Sequence, residues 1–174
     1  MNLTEVALRT PVMRDEENPK WNIWQSSPFE SFYLSSSKAK GSKGERLLAA
    51  VLETLGHDIL RDNTGKLQRL DGNSDHDIVV DNYKVEVKTS LTWGEERDKF
   101  TWQQIRSKQD YERIIFIGLN PDEMKVFWAT KKDLEENIFG IDKHRQHGGK
   151  DGKQDLYWIR NDFPHWFKSL EEWK

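Results

Sequence analysis

The chain contains no cysteine, which excludes disulfides and thiolate metal sites and leaves oxygen or histidine donors for any bound cation. It also lacks an apolar run of about 18 residues, the length needed to cross a bilayer, so no membrane partner is expected. Residues Met1 to Pro11 hold no signal-peptide core, and the expected compartment is therefore the cytoplasm. Net charge is only -3 over 174 residues, which argues against a protein that coats nucleic acid indiscriminately. Local basic contacts along a groove remain open to it. Walker-type phosphate loops, dinucleotide fingerprints, G-x-S-x-G elbows and internal repeats are absent too, and with them several enzyme classes.

What is present is a charged sequence (33% Asp, Glu, Lys and Arg) of a length typical of one domain, with eight tryptophans. Rings of that size serve cores and interfaces alike. The informative stretch is Ser74 to Ser90, SDHDIVVDNYKVEVKTS. Ile78-Val79-Val80 is β-branched, Asp81-Asn82 is a turn signal, and Lys84 to Lys88 alternates polar with apolar, so the segment predicts a β-hairpin. Side chains two apart on a strand share a face, which projects Glu86 and Lys88 together and brings Asp77, at the entry of the partner strand, close to both. Two readings fit this cluster. One is a solvated hairpin face with a cross-strand ion pair. The other is a Mg²⁺ site in which Asp77, Glu86 and a strand carbonyl, that of Val87, hold a cation that keeps several waters and meets a phosphate. Lys88 would then orient a water or neutralise charge on phosphorus oxygens.

At these residues the chain resembles the PD-(D/E)xK nuclease superfamily, which includes many type II restriction endonucleases. Asp77 matches the acid opening the second core strand and Glu86-Val87-Lys88 the E-x-K of the third. His76 stands where the family name has proline, and Asp75 competes with Asp77 for the ligand role. The resemblance implies a single-domain α/β fold, a restriction-endonuclease-like core with a mixed central β-sheet flanked by helices. It further implies Mg²⁺, with Mn²⁺ able to substitute, and hydrolysis of double-stranded DNA. Cutting both strands would require a homodimer or a partner subunit. A repair, recombination or phage nuclease that recognises DNA structure is the alternative within that class. A noncatalytic DNA-binding module that retains the fold lies outside it.

Along the rest of the chain, residues 1–41 read as an N-terminal arm packing on the body or a partner, and 42–174 as the core. Within the arm, Leu3 to Leu8 could form a short helix, and Trp24, Phe29, Phe32 and Tyr33 are too apolar for a free tail. Ser35 to Gly44 has the composition of a flexible connector, whose Lys40 and Lys43 would meet phosphates if the chain is a nuclease. Ser42 to Gly56 predicts a helix, with Ser42 and Glu45 as a capping box and Leu48, Val51, Leu52 and Leu55 as its apolar stripe. In the resembling superfamily a glutamate on this helix reaches the metal through water, and Glu45 is placed for that role.

His57 to Leu60 predicts a short strand. Thr101 and Gln104 fit a capping box and a helix start; by the resemblance, Gln104 (or Gln103) helps arrange the site and Arg106 contacts phosphate. Ile114 to Leu119 and Met124 to Thr130 predict strands, Lys131 to Ile138 a helix, Tyr157 to Ile159 an edge strand and Pro164 to Trp173 a terminal amphipathic helix. His144, Arg145, His147 and Lys150 lie in a glycine-rich loop that either faces DNA or is simply exposed. No third ligand accompanies the two histidines at zinc spacing.

Overall fold

The computed structural model of the protein describes residues 23–70, 75–93, 99–146, 156–160 and 163–173. The expected hairpin forms, with strand β1 (Ile78–Val80) antiparallel to β2 (Tyr83–Leu91) in the register Ile78↔Val85. Asp81 and Asn82 both adopt positive φ, 49° and 70°. That is the two-residue turn whose twist matches the strands, and these two residue types tolerate it best after glycine. The turn is anchored from outside as well: Asp81 accepts from the Asp58 N–H at 2.9 Å and from Trp173 Nε1 at 2.8 Å.

Strand β4 (Arg113–Leu119) pairs with β2 in parallel, and β5 (Met124–Thr130) returns antiparallel to β4. A two-residue β7 (Lys168–Ser169) closes the order β1-β2-β4-β5-β7, a mixed five-stranded sheet. The parallel step requires a long crossover. It carries β3 (Thr101–Arg106), which leaves the main sheet and pairs antiparallel with β6 (Leu156–Arg160) as a separate two-stranded ribbon.

All seven residues of β4 are buried. Its two faces explain why: Ile115 and Ile117 meet Leu48, Ala49 and Leu52 of the long helix, while Ile114 and Phe116 meet Trp102, Ile105, Tyr157 and Ile159 of the ribbon. A strand covered on both sides reads as a continuous apolar run rather than an alternating one. Helices therefore flank the mixed sheet in the α/β arrangement expected. Trp24, Trp102, Trp128 and Trp173 are all in the core, and Trp166 packs against it.

The helices differ from expectation at their starts. Helix α1 (Glu30–Tyr33) is followed by α2 (Ser37–Thr54), which begins five residues before Ser42 because the Ser36 side chain, not that of Ser42, accepts from the Ala39 N–H. The expected connector is thus helical, and the helix runs unbroken through residues 41 and 42, where the arm is expected to end. Lys40 and Lys43 stand on a rigid element, and Lys43 Nζ donates to the Ser31 carbonyl at 2.8 Å. The described part of the arm packs on the body: Trp24 and Phe32 join the core cluster of Leu48, Leu52, Ile115 and Ile117, and Ser27 Oγ donates to the Pro121 carbonyl at 2.6 Å. Leu3 to Leu8 lies outside the described residues.

Three further expectations are corrected. His57 to Leu60 contributes one bridge, Ile59↔Val80, instead of a strand. Thr101 starts a strand and not a helix, since Trp102 buries its ring and donates from Nε1 to the Ile117 carbonyl at 2.9 Å; tertiary burial outweighs a local cap. Pro164 to Trp173 is not a helix either. Its Phe167 stacks on Phe116, Lys168 pairs with Asp133, and only Leu170–Glu172 is helical, as a 3₁₀ segment. Helix α3 (Lys131–Asn137) forms as expected, with a capping box from Thr130 and Asp133. No helix among the described residues is long and apolar enough to cross a membrane.

Candidate functional site

The hairpin register decides the site. The ladder pairs Ile78 with Val85, and at the strand entry the Asp77 N–H donates to that same Val85 carbonyl at 3.0 Å, which departs from the regular alternation and sets Asp77 beside Val85 and Glu86. The Asp77 carboxylate folds back over β2, where Oδ2 accepts from the Val87 N–H at 2.9 Å. The parallel register pairs Glu86 with Ile114 and Lys88 with Phe116. Both side chains therefore lie on the face covered by the ribbon, and Lys88 Nζ stands 2.6 Å from Glu86 Oε1.

Glu86 is only 4% exposed. Burial, and then the charge of Asp77 and a hydrogen-bonding contact with it, push its carboxyl up to about 7 against the pull of Lys88. Glu45, on α2, feels the same environment: burial first and Asp77 second raise its carboxyl, against Arg69, Arg46 and Lys88. Asp77, at the strand entry, thus repels both the helix acid Glu45 and the strand acid Glu86. Lys88 and Arg69, whose Nη2 is 3.5 Å from Asp77 Oδ1, supply the compensating charge. A cleft of about 470 Å³ opens beside Asp77, lined by Glu45, Asp62, Leu67, Gln68 and Arg69.

Among the described residues no three acids or histidines form a complete metal-ligand set by themselves. Mg²⁺ does not require one. It is commonly held by one or two carboxylates and keeps its waters. Asp77 and Glu86 are a hard oxygen pair, and an acid buried beside another acid is a donor that a divalent cation would relieve. The residues present fit such an ion.

Position 76 has a structural task. His76 is fully buried, and its Nε2 accepts from the Leu70 N–H at 3.1 Å. Burial, helped by Lys84 and Arg69, lowers its pKa and favours the neutral ring that can accept. This bond ties Leu70, and so Arg69 beside it, to the residue before Asp77. Arg69 gave no signal in the sequence, where it sits in a polar loop without periodicity.

Other expected residues are placed elsewhere. Gln103 and Gln104 are exposed on the ribbon, and no hydrogen bond among the described residues joins either to Asp77, Glu86 or Lys88; the Gln104 N–H donates to Gln146 Oε1 at 2.9 Å. Arg106 is exposed, and its carbonyl accepts from the Tyr111 hydroxyl at 3.1 Å. Burial first, and then the nearby charge of Glu86, raise the Tyr111 hydroxyl. His144 Nδ1 lies 3.2 Å from the Trp158 carbonyl and Arg145 pairs with Asp142 at 3.1 Å. Burial lowers the Lys40 ammonium. His147 and Lys150 lie outside the described residues.

No protein-family profile matches the sequence, and no curated protein matches it significantly. Among solved structures, the fold is similar to that of a bacterial homing endonuclease, I-Ssp6803I, with 14% sequence identity and a TM-score of 0.41 over 79% of this chain and 84% of that one.

Proposed function

We propose that this chain is a Mg²⁺-dependent endonuclease that hydrolyses DNA phosphodiester bonds. The observation that carries the proposal is the convergence of Asp77 and Glu86 at the hairpin, with Lys88 within hydrogen-bonding distance of the buried acid. Asp77, Glu86 and the Val87 carbonyl would hold the cation, with Glu45 reaching it through water. Bound there, a divalent ion supplies Lewis-acid stabilisation of the phosphoryl oxygens and lowers the pKa of water. Lys88, released from Glu86, orients the attacking water and faces the charge that builds on phosphorus. The water gives up a proton to solvent as its oxygen forms the new P–O bond and the bond to the sugar oxygen breaks, and the departing oxygen takes up a proton from solvent.

A small domain with such a site suits a type II restriction endonuclease on double-stranded DNA, with two copies or a partner subunit supplying one site for each strand. Mn²⁺ would serve in place of Mg²⁺. Arg106, exposed at the end of β3, suits a phosphate contact.

Purified protein incubated with plasmid and phage DNA tests the proposal. Discrete fragments in Mg²⁺, lost on chelation, are expected, and sequencing their ends gives the recognition site. Smears or cuts confined to junctions and flaps would replace the restriction reading by a structure-directed nuclease. Absence of any cleavage in Mg²⁺ or Mn²⁺ would overturn the enzymatic reading.

A further inference from the structure

The ribbon contains a feature that neither the acid cluster nor core packing uses. Trp102 pairs with Ile159 and Ile105 with Tyr157, so Gln103 and Gln104 together stand opposite the single residue Trp158. Two residues against one is a β-bulge, and bulges re-aim side chains next to functional sites. Gln104 adopts φ 57°, a left-handed conformation uncommon for residues other than glycine, asparagine and aspartate. Its N–H is held there by Gln146 Oε1 at 2.9 Å.

The bulge changes which side chains face outward. Trp102 and Ile105 remain buried, as do Tyr157 and Ile159 on the partner strand, while Gln103, Gln104 and Arg106 are exposed. On β6, Arg160 is exposed and its guanidinium lies over the Trp158 ring at 4.4 Å. Because the strands are antiparallel, Arg106 and Arg160 mark opposite ends of the ribbon: Arg106 pairs with Leu156 and Arg160 with Thr101. Five residue steps separate the ends, roughly 16 Å of strand. The result is a polar two-stranded ribbon with two adjacent amides at its middle and a guanidinium at either end.

From this geometry we infer that the β3–β6 ribbon enters the major groove of duplex DNA and that Gln103 and Gln104 read base edges there, favouring adenine. A major groove about 12 Å wide accepts a two-stranded ribbon, and a glutamine amide matches the N6 donor and N7 acceptor of adenine in a way no other base presents. Arg106 and Arg160 reach the phosphates on the two sides of the groove. The inference rests on the nuclease reading for its partner, DNA. Its position suits that partner: the Tyr111 hydroxyl fixes the Arg106 carbonyl at 3.1 Å, and Tyr111 lies within electrostatic reach of Glu86. Gln104 is two residues further along, roughly 7 Å, so bases near the scissile phosphate come under the bulge.

The test is selection of bound duplexes from a randomised pool by the full chain, with Ca²⁺ replacing Mg²⁺, followed by sequencing. The wild-type chain should enrich a motif containing at least one adenine. Gln104→Gly is the informative variant, because glycine accepts φ 57° without strain and keeps the N–H donated to Gln146. It should fold normally yet lose roughly ten- to hundredfold of the preference for that adenine. Gln103→Ala should relax a neighbouring position. For the wild-type chain, 7-deazaadenine at the selected position should weaken binding in the same way. An unchanged motif in both variants, or no enriched motif in the wild-type chain, would overturn the inference. A chain that cuts DNA but keeps its specificity in Gln104→Gly loses only the ribbon's role. One that selects adenine without ever cutting loses only the nuclease reading.

Discussion

Gly44 and Thr89 lie in such close contact that a Cβ on Gly44 would overlap Thr89 Oγ1. Helix α2 therefore crosses β2 at a point where only hydrogen fits, and this approach sets how near Glu45, the next residue on the helix, comes to Asp77. Thr89 is β-branched and stiff on its strand. Its hydroxyl is buried without a hydrogen-bond partner among the described residues. Gly44→Ala should thus lower stability by about 1–3 kcal/mol despite the better helix propensity of alanine. Thr89→Ala should restore much of the loss, giving a non-additive double-mutant cycle in thermal unfolding. Additive effects would show that the contact does not set the helix position.

Glu86 links the site to pH. Its carboxyl, at about 7 in the folded chain, keeps a proton that the unfolded chain releases near pH 4.3. The folded state then holds more protons across this window, so stability falls as pH rises from about 4.5 to 7. Glu45, raised first by burial, adds a slope of the same sign. Glu86→Gln should flatten the decline in denaturant unfolding measured at a series of pH values. A slope unchanged by the substitution would contradict the burial of this carboxyl as the source of the pH dependence.

Cation binding should show the opposite trend. Ligand carboxylates must be deprotonated, so Mg²⁺ competes with the proton on Glu86. The rise in melting temperature produced by Mg²⁺ should therefore be larger at pH 8 than at pH 6, and Asp77→Asn should reduce it at both. Equal shifts at the two pH values would place the ion elsewhere.

Arg69 is half exposed beside Asp77, 3.5 Å away. An ion pair open to solvent contributes little, so Arg69→Ala should change stability by less than about 1 kcal/mol. It also removes a positive charge that competes for the same carboxylate. Calorimetric titration should find tighter Mg²⁺ binding in the variant; weaker binding would show that Arg69 assembles the site instead of balancing its charge.

Much of the architecture was legible because it is local. Asp81-Asn82 between β-branched runs specified the hairpin, and with it the register Ile78↔Val85 that brings Asp77 to β2 at its strand entry. The strand Met124–Thr130 and the helix after it were equally plain from periodicity and a cap. What failed was decided at long range. Ser36 and Ser42 are similar caps on paper, and it is the Ser36 side chain that accepts from a backbone N–H, that of Ala39. Thr101 to Arg106 carries helix-like caps but is drawn into a strand by Trp102 against Phe116 and the Ile117 carbonyl. The terminal aromatics have helical spacing, yet Phe167 and Trp173 reach two different cores, which a short extended segment allows and a helix does not. At the site, the acids and Lys88 were visible as a motif. Arg69 was not, since its approach to Asp77 depends on the buried His76 holding Leu70.

The most direct measurement is single-turnover DNA cleavage by Lys88→Ala, with binding of the same duplex measured in parallel. If Lys88 acts on the attacking water and the developing charge, the cleavage rate should fall by about 10²–10³-fold while affinity for DNA changes little. Cleavage by Lys88→Ala at the wild-type rate would contradict the role of the hairpin cluster as the catalytic centre.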